Sequence, residues 1–265
     1  MKQLKSSLQD LREVFERGIT LRDIAESLVS FDADREATEV KLFLDERNFD
    51  VVGVRRKGVI EGYALRSKLT SGSLGDHELL FPSALVLPST DSLLRVFEIF
   101  ETHPNAPQAF IDILGHVGGI ITRGDLQKVP VRMWMFGVIS LIEMQMLRVI
   151  RERYPDESWR GLLSNGRLGE ADKMMRERRG RNEEIDLADC LQFCDKTKII
   201  IKQEEIRSFF GSLSKGEEFF DQIQHLRDEL SHAQDIISGK RPDTIELIRK
   251  SEKVLDCLEK LELPD

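Results

Sequence analysis

Two segments of the chain, DVVGVRRKGVIEGYALRSKL at residues 50–69 and QAFIDILGHVGGIITRGDL at residues 108–126, have the same pattern. In each, an apolar run rich in β-branched or aromatic residues reaches a glycine turn, at Gly58 or Gly115, and a second apolar run returns. Two such runs around a short glycine turn are typical of a β-hairpin. The hairpins begin roughly sixty residues apart, and an internal repeat of this size predicts a duplicated unit.

Amphipathic segments surround both hairpins, so each repeat is predicted to mix helix and strand. Ser, Thr or Asp residues stand where these helices would begin, as expected of N-caps. The predicted elements are a helix from Thr20 to Val29, a helix over 34–43, a short helix from Arg66, a strand over 84–87, a helix over 89–100 and a short helix from Arg123.

Beyond Pro130 the pattern changes to helical periodicity. Helices are predicted over 133–154, 159–163, 168–178, 185–193, 202–210, 217–237 and 243–263, with one short strand at 199–201. The predicted fold class is therefore an α+β region followed by an all-α helical bundle. We predict a lead-in helix over 1–18, the duplicated unit over 19–129 and the bundle over 130–265.

Composition limits the class of protein and its compartment. The net charge of −8 excludes a chain that is basic throughout, so any site for a polyanion must be local. Three cysteines, two of them spaced like helix neighbours at Cys190 and Cys194, predict buried thiols and a reducing compartment. The longest apolar stretch, 133–142, is too short to span a bilayer, and residues 1–5 lack a signal-peptide core. We expect a cytoplasmic protein without a membrane anchor.

The duplicated region, about residues 15–129, resembles a tandem pair of CBS domains. The resemblance depends on the helix–strand–strand–helix order, on VGV at 52–54 with GY at 62–63, and on GIITRGDL at 119–126. It implies a module that binds an adenine nucleotide, such as AMP or ATP, between the two repeats. The ligand would be regulatory.

The resemblance also implies three ligand-binding residues, Gly119, Thr122 and Asp125. Thr122 would bind phosphate, and the acceptor-only carboxylate of Asp125 would engage the ribose hydroxyls. The same Thr-x-x-Asp spacing is a capping box that needs no ligand, and both interpretations stay open. The equivalent segment of the first repeat, 62–69, has neither the Thr nor the Asp, which favours one site per chain.

The segment Arg227-Asp228-Glu229-Leu230-Ser231-His232 lies in the predicted helix over 217–237. At about 100° per residue, Phe219, Ile223, Leu226, Leu230, Ala233 and Ile237 form one apolar stripe. Arg227, Asp228 and His232 fall on the opposite, polar flank, where Asp228 and His232 are close enough to interact. This helix resembles the motif helix of HEPN domains, which carries Arg, a polar residue directly after it, and a His further on. The resemblance extends over residues 131–265.

HEPN domains include metal-independent endoribonucleases whose composite site forms at a two-fold dimer interface. The resemblance implies that Arg227, Asp228 and His232 are catalytic, with Ser231 as a candidate supporting residue and no metal. Glu143, inside the apolar helix over 133–154, is a candidate supporting residue or, equally, a polar group on a dimer seam. Attack by an RNA 2′-hydroxyl needs a base, an acid and a cation for the phosphorane. A histidine can act as base or acid near neutral pH, and arginine supplies the cation. The alternative is that His232 and Arg227 lie on a solvated helix face without a catalytic role.

A local basic segment precedes this helix. Residues 160–181 hold seven Arg or Lys against three Asp or Glu, a balance of +4. Its arginine-rich loop, Arg178, Arg179 and Arg181, is a candidate for steering RNA. A helix end with ordinary ion pairs is the alternative.

Together these features predict a homodimeric, nucleotide-sensing endoribonuclease that cuts single-stranded RNA and needs no cofactor for catalysis. One alternative is a non-catalytic adenine-nucleotide sensor whose helical region mediates dimerisation or partner binding. Another is a structural dimer without a ligand.

Overall fold

The computed structural model describes residues 8–231 and 244–261 of this chain. It divides into two compact units, one formed by residues 16–131 and the other by the residues before and after that range. We call them the α+β unit and the helical unit. The chain passes from the first to the second next to Val131.

The α+β unit contains two repeats of the same order. The first has β2 (Ser30–Asp32), α2 (Ala37–Arg47), β3 (Val51–Arg56) and β4 (Val59–Leu65), and the second has β5 (Val86–Pro88), α3 (Leu93–Thr102), β6 (Gln108–Ile113) and β7 (His116–Thr122). A short strand, β1 (Glu26–Ser27), precedes them. Each hairpin ends in a 3-10 turn, Arg66–Lys68 or Arg123–Gln127.

The predicted hairpins and their duplication are confirmed in detail. β6 starts 57 residues after β3 (108 − 51), and β7 starts 57 residues after β4 (116 − 59). Both hairpins turn on two residues with positive φ, Lys57-Gly58 and Leu114-Gly115, as a tight two-residue hairpin turn requires. Each pairing also has one register shift at the same place.

The strands form two sheets. The order is β2-β3-β4 in one sheet and β1-β7-β6-β5 in the other, with β2 and β5 parallel to their neighbours. The first repeat closes its own core of buried apolar side chains around α2, among them Val40, Leu44 and Val52. A second cluster lies between the repeats, where Phe110 is fully buried against Tyr63 and Phe81.

The helix predicted from Thr20 to Val29 is wrong. Only a single 3-10 turn, Leu21–Asp23, follows Thr20, and the chain then extends as β1. β1 pairs antiparallel with β7, where Glu26 lies opposite Ile120 and Ser27 opposite Gly119. Strand pairing therefore satisfies backbone groups that a helix would have satisfied internally, which is a tertiary effect that local periodicity does not report.

The helical unit consists mainly of α-helices among its described residues. They are α1 (Leu8–Gly18), which begins in this unit, α4 (Val129–Arg153), α5 (Asn165–Arg179), α6 (Phe193–Ile200), α7 (Glu204–Phe210), α8 (Leu213–Ser231) and α9 (Thr244–Glu259). Arg12 of α1 forms ion pairs with Glu252, Asp256 and Glu259 along one face of α9. The predicted helical bundle is confirmed at this level.

Two predicted elements of the helical unit are wrong. Residues 185–193 do not form a helix, because Asp186 and Asp189 exchange hydrogen bonds with each other's backbone N–H groups and close a local turn. Residues 199–201 are not a strand but the buried end of α6. The segments predicted as helices from Trp159 and, in the α+β unit, from Arg123 are 3-10 turns, Ser158–Leu162 and Arg123–Gln127, and not α-helices. As a result, Cys190 and Cys194 do not share a helix.

Within the described residues, α4 is the one helix long and apolar enough to cross a membrane by length and composition. Most of its apolar window, 61%, is buried inside the fold. Trp134, Ile139 and Ile142 are among the fully buried side chains. Burial of this kind is what a central helix of a bundle requires.

Candidate functional site

Arg227 lies on the polar flank of α8, as the helical wheel predicts. Ile223, Leu226 and Leu230 point into the core and are at most 9% exposed. The side chain of Arg227 is 34% exposed, and that of Asp228 is 60% exposed. Because the inward positions are apolar, packing of α8 fixes the direction in which Arg227 leaves the helix.

Glu143 of α4 connects Arg227 to a second cation. Its Oε2 lies 3.5 Å from Nη1 of Arg227, and its Oε1 accepts a 2.8 Å hydrogen bond from Nζ of Lys196 on α6. The guanidinium also lies 5.8 Å from the centroid of the Phe193 ring. Asp228 adds a weaker contact, with its Oδ1 4.0 Å from Nε of Arg227. Arg227 is therefore held by groups from three helices.

A polar pocket of about 290 Å³ opens beside this arrangement. Its walls are Glu143, Gln192, Phe193, Cys194, Gln224 and Arg227. The amide side chains can donate and accept hydrogen bonds, and the guanidinium offers a planar set of donors. The pocket wall therefore offers both donors and acceptors, with one cation and one carboxylate among them.

The start of α6 forms one wall of this pocket and is fixed from α5. Arg167 binds both carboxylate oxygens of Asp195, at 2.8 and 2.7 Å, and donates a 2.7 Å bond to Gln192. The carboxylate of Asp195 also accepts a hydrogen bond from the backbone N–H of Gln192. The hydrogen bonds to Asp195 raise the pKa of the Arg167 guanidinium. Asp195 is 1% exposed, so this bidentate pair fixes the position of α6.

Two residues of the predicted catalytic set are not described with side chains. Ser231 is the last residue of α8, and only its backbone is described. His232 lies outside the described residues, so its predicted contact with Asp228 stays a prediction. The structure thus brings together Arg227, Asp228 and Glu143 of the predicted site.

The arginines of the predicted steering loop are engaged locally. Arg178 and Arg181 both form ion pairs with Glu183, at 2.7 and 3.1 Å, and Arg179 donates to the backbone carbonyl of Ile185. Glu183 stands just outside the segment in which the sequence shows a balance of +4. These bonds match the ion-paired alternative, and a role in RNA steering stays a prediction.

The predicted nucleotide-binding residues of β7 and its following turn form a capping arrangement. Oδ2 of Asp125 accepts from the N–H and the hydroxyl of Thr122, at 2.7 and 2.8 Å. Oδ1 of Asp125 lies 2.8 Å from Nζ of Lys128. Burial alone would lower the pKa of Lys128, but hydrogen bonds to Asp125 and Glu26 raise it overall. Gly119 is buried where β1 meets β7.

A similar arrangement lies at the 3-10 turn Leu74–His77, which follows the first repeat. Oδ2 of Asp76 accepts from the N–H and the hydroxyl of Ser73, both at 2.8 Å. Capping alone therefore explains the geometry at Thr122 and Asp125. Their contacts to a nucleotide stay a prediction.

Lys196 and Gln192 are site residues that the sequence did not single out. Lys196 is a charged residue in an apolar helix, which is a weak signal that many surface lysines share. The spacing of Gln192 and Asp195 marks the helix start, but it does not identify a neighbour on α5 or α4. Among the described residues, no group of three or more His, Cys, Asp or Glu side chains is arranged to hold a metal ion.

Comparison with known proteins yields matches only among solved structures. No family model matches this chain, and no curated protein matches it. One similar structure is the CBS domain of the bacterial CNNM/CorC family Mg²⁺ transporter, with 14% identity, 49% of this chain and 86% of that chain covered, and a TM-score of 0.36.

Two further structures are similar to this chain. One is a hemolysin-like protein containing a CBS domain from Oenococcus oeni PSU, with 18% identity, coverage of 46% of this chain and 96% of that chain, and a TM-score of 0.34. The other is CBSX2 in complex with AMP, with 17% identity, coverage of 44% and 98%, and a TM-score of 0.38. TM-scores below 0.5 are too low to assign this chain to a family or a function.

Proposed function

We propose that this protein is a nucleotide-responsive, metal-independent endoribonuclease that cuts single-stranded RNA in its helical unit. The observation that supports the proposal most is the position of Arg227. Its guanidinium lies partly exposed in the wall of a polar pocket, and Glu143 fixes it from a different helix.

The chemistry follows from the residue types. The RNA 2′-hydroxyl oxygen attacks the adjacent phosphorus while a base removes its proton, and the 5′-oxygen leaves after an acid protonates it. His232 is suited to these proton transfers near neutral pH. Arg227 would stabilise the charge on the phosphorane through paired N–H groups. The products end in a 2′,3′-cyclic phosphate and a 5′-hydroxyl.

Each chain supplies one Arg227 and one His232, whereas the reaction uses both a base and an acid. Two copies of the chain would supply both, so we propose a homodimer with a composite site. Exposed apolar residues of α4 favour a contact of this kind, since Met133, Phe136 and Met144 are 60, 45 and 44% exposed. They recur on one side of the helix, next to the side that carries Glu143.

Cleavage by the wild-type protein tests the proposal. We expect a short unstructured oligoribonucleotide to be cut in the presence of a chelator, and its fully 2′-O-methylated counterpart to stay intact, because only the first has an attacking hydroxyl. The products are measured by mass spectrometry. Intact RNA under all conditions, or cleavage of the methylated strand, would contradict the proposal.

The α+β unit is proposed to bind an adenine nucleotide at Gly119, Thr122 and Asp125. Binding to the folded state alone raises the free energy of unfolding, by about 2.7 kcal/mol at a hundred times the Kd. We therefore expect AMP or ATP to raise the melting temperature of the wild type. Differential scanning fluorimetry measures this shift.

A matched pair of variants separates ligand binding from capping. Thr122→Ala and Ser73→Ala each remove the hydroxyl from the same kind of turn. Thr122→Ala should lose the shift caused by the nucleotide, and Ser73→Ala should keep it. Equal shifts in both variants would leave Thr122 as a cap only.

The exposed face of α4 also supports a second candidate function. In that case the protein is a non-catalytic nucleotide sensor, and its helical unit serves to hold two copies together. Dimerisation without RNA cleavage by the wild type would favour this candidate over the nuclease.

A further inference from the structure

Three helices meet at the carboxylate of Glu143. Lys196 of α6 donates to Oε1 at 2.8 Å, and Arg227 of α8 lies 3.5 Å from Oε2. The side chain of Lys196 is 7% exposed, while those of Glu143 and Arg227 are 29 and 34% exposed. The buried lysine therefore binds one oxygen of the Glu143 carboxylate, and Arg227, which lines the pocket, lies next to the other oxygen.

We propose that Lys196 is a positioning residue of the Arg227 site, a role that rests on the proposed function. A carboxylate paired only with Arg227 would neutralise its charge and compete with an RNA phosphate for its N–H groups. By donating a hydrogen bond to Oε1, Lys196 pairs with the carboxylate of Glu143, so that this carboxylate is not paired with Arg227 alone. Together with the exposed Asp228, 4.0 Å from Arg227, these three side chains have charges that sum to zero, whereas without Lys196 the same group would carry −1 and repel the phosphate.

Burial gives independent support to this role. A lysine ammonium is costly to bury, and well-packed apolar residues in place of a whole buried ion pair often stabilise a core equally well or better. The neighbours of Lys196 on the buried side of α6 include Ile199 and Ile200, so methionine would suit the packing. The buried Lys196–Glu143 pair is therefore weak evidence of a role in stability, and Glu143 lines the pocket.

Binding of a single-stranded RNA made non-cleavable by 2′-O-methylation tests the inference. Lys196→Met should weaken the binding about tenfold, as expected when one charge-assisted contact is lost. It should also flatten the slope of log Kd against log salt by about 0.7, the value for one phosphate contact on a single strand. Lys196→Arg, which keeps the cation, should bind like the wild type.

The double variant Lys196→Met with Glu143→Gln gives the sharpest comparison. Once Glu143 is neutral it no longer competes for Arg227, so both the affinity and the salt slope should return to within about twofold of the wild-type values. A lysine needed only for folding would lower the melting temperature of Lys196→Met and leave its salt slope unchanged. That result, or a double variant as weak as Lys196→Met, would overturn the inference.

Failure of the inference is distinguishable from failure of the proposed function. If Arg227→Ala loses RNA binding while Lys196→Met binds like the wild type, Lys196 has no part in the site and the proposed function stands. If Arg227→Ala binds and cleaves RNA like the wild type, the site itself is wrong and Lys196 cannot position it.

Discussion

Replacing Arg227 by alanine is expected to slow RNA cleavage by about 10²- to 10³-fold, the usual cost of removing one donor to a developing oxyanion. The reason is that Arg227 is the cation of the polar pocket with the most direct access to a phosphate. After the substitution Glu143 keeps Lys196 as a partner, and Asp228 is 60% exposed to water, so neither of these carboxylates is left both buried and unpaired. We therefore expect the melting temperature to change little while the single-turnover cleavage rate falls.

Arg207→Ala is the matched control for this variant. Arg207 is an exposed arginine on α7 of the same unit, so the substitution removes the same charge from the protein. Its cleavage rate should equal that of the wild type. A loss of equal size in both variants would show that the effect comes from overall charge, and would remove Arg227 from the reaction.

Replacing Arg167 by alanine is expected to lower the free energy of unfolding by about 3–5 kcal/mol, the usual cost of breaking a buried ion pair from one side. The carboxylate of Asp195 is 1% exposed and both of its oxygens bind Arg167. Lysine cannot reproduce this planar two-point contact, so Arg167→Lys should recover little. Urea unfolding followed by circular dichroism measures the loss.

Two comparisons make this prediction specific. Arg178→Ala removes an arginine of the same helix whose partner, Glu183, is 34% exposed, and its effect should be much smaller. Adding Asp195→Asn to Arg167→Ala should restore part of the stability, because a neutral amide is less costly to bury. If Arg167→Ala unfolds like the wild type, the pair does not fix α6.

The hairpins could be predicted from sequence because every local signal agrees there. Apolar runs rich in β-branched or aromatic residues, a turn with Gly58 or Gly115 and the repeat of the whole unit all point to the same structure. The helix expected after Thr20 failed for the opposite reason. Its backbone pairs with β7, a segment about ninety residues later, and no local pattern reports that partner.

The same distinction applies to the candidate site, where some residues could be predicted from sequence and others could not. The polar flank of α8 follows from the 3.6-residue period, so Arg227 could be placed from sequence. Lys196 and Gln192 could not, since their roles depend on which face of α6 meets α4 and α5. At Thr122 the same two residues suit a cap and a ligand site, so sequence alone leaves both possibilities open.

The most direct test of the proposed nuclease compares the RNA cleavage rates of two variants, His232→Ala and His225→Ala. Both rates are measured in the presence of a chelator. Both histidines belong to the same segment of the chain, and His225 is exposed on α8 seven residues before His232. We predict that His232→Ala loses about 10²- to 10⁴-fold in rate, as expected for a lost general acid or base, while His225→Ala keeps the wild-type rate. Equal rates for the two variants and the wild type would contradict a nuclease site at Arg227 and His232.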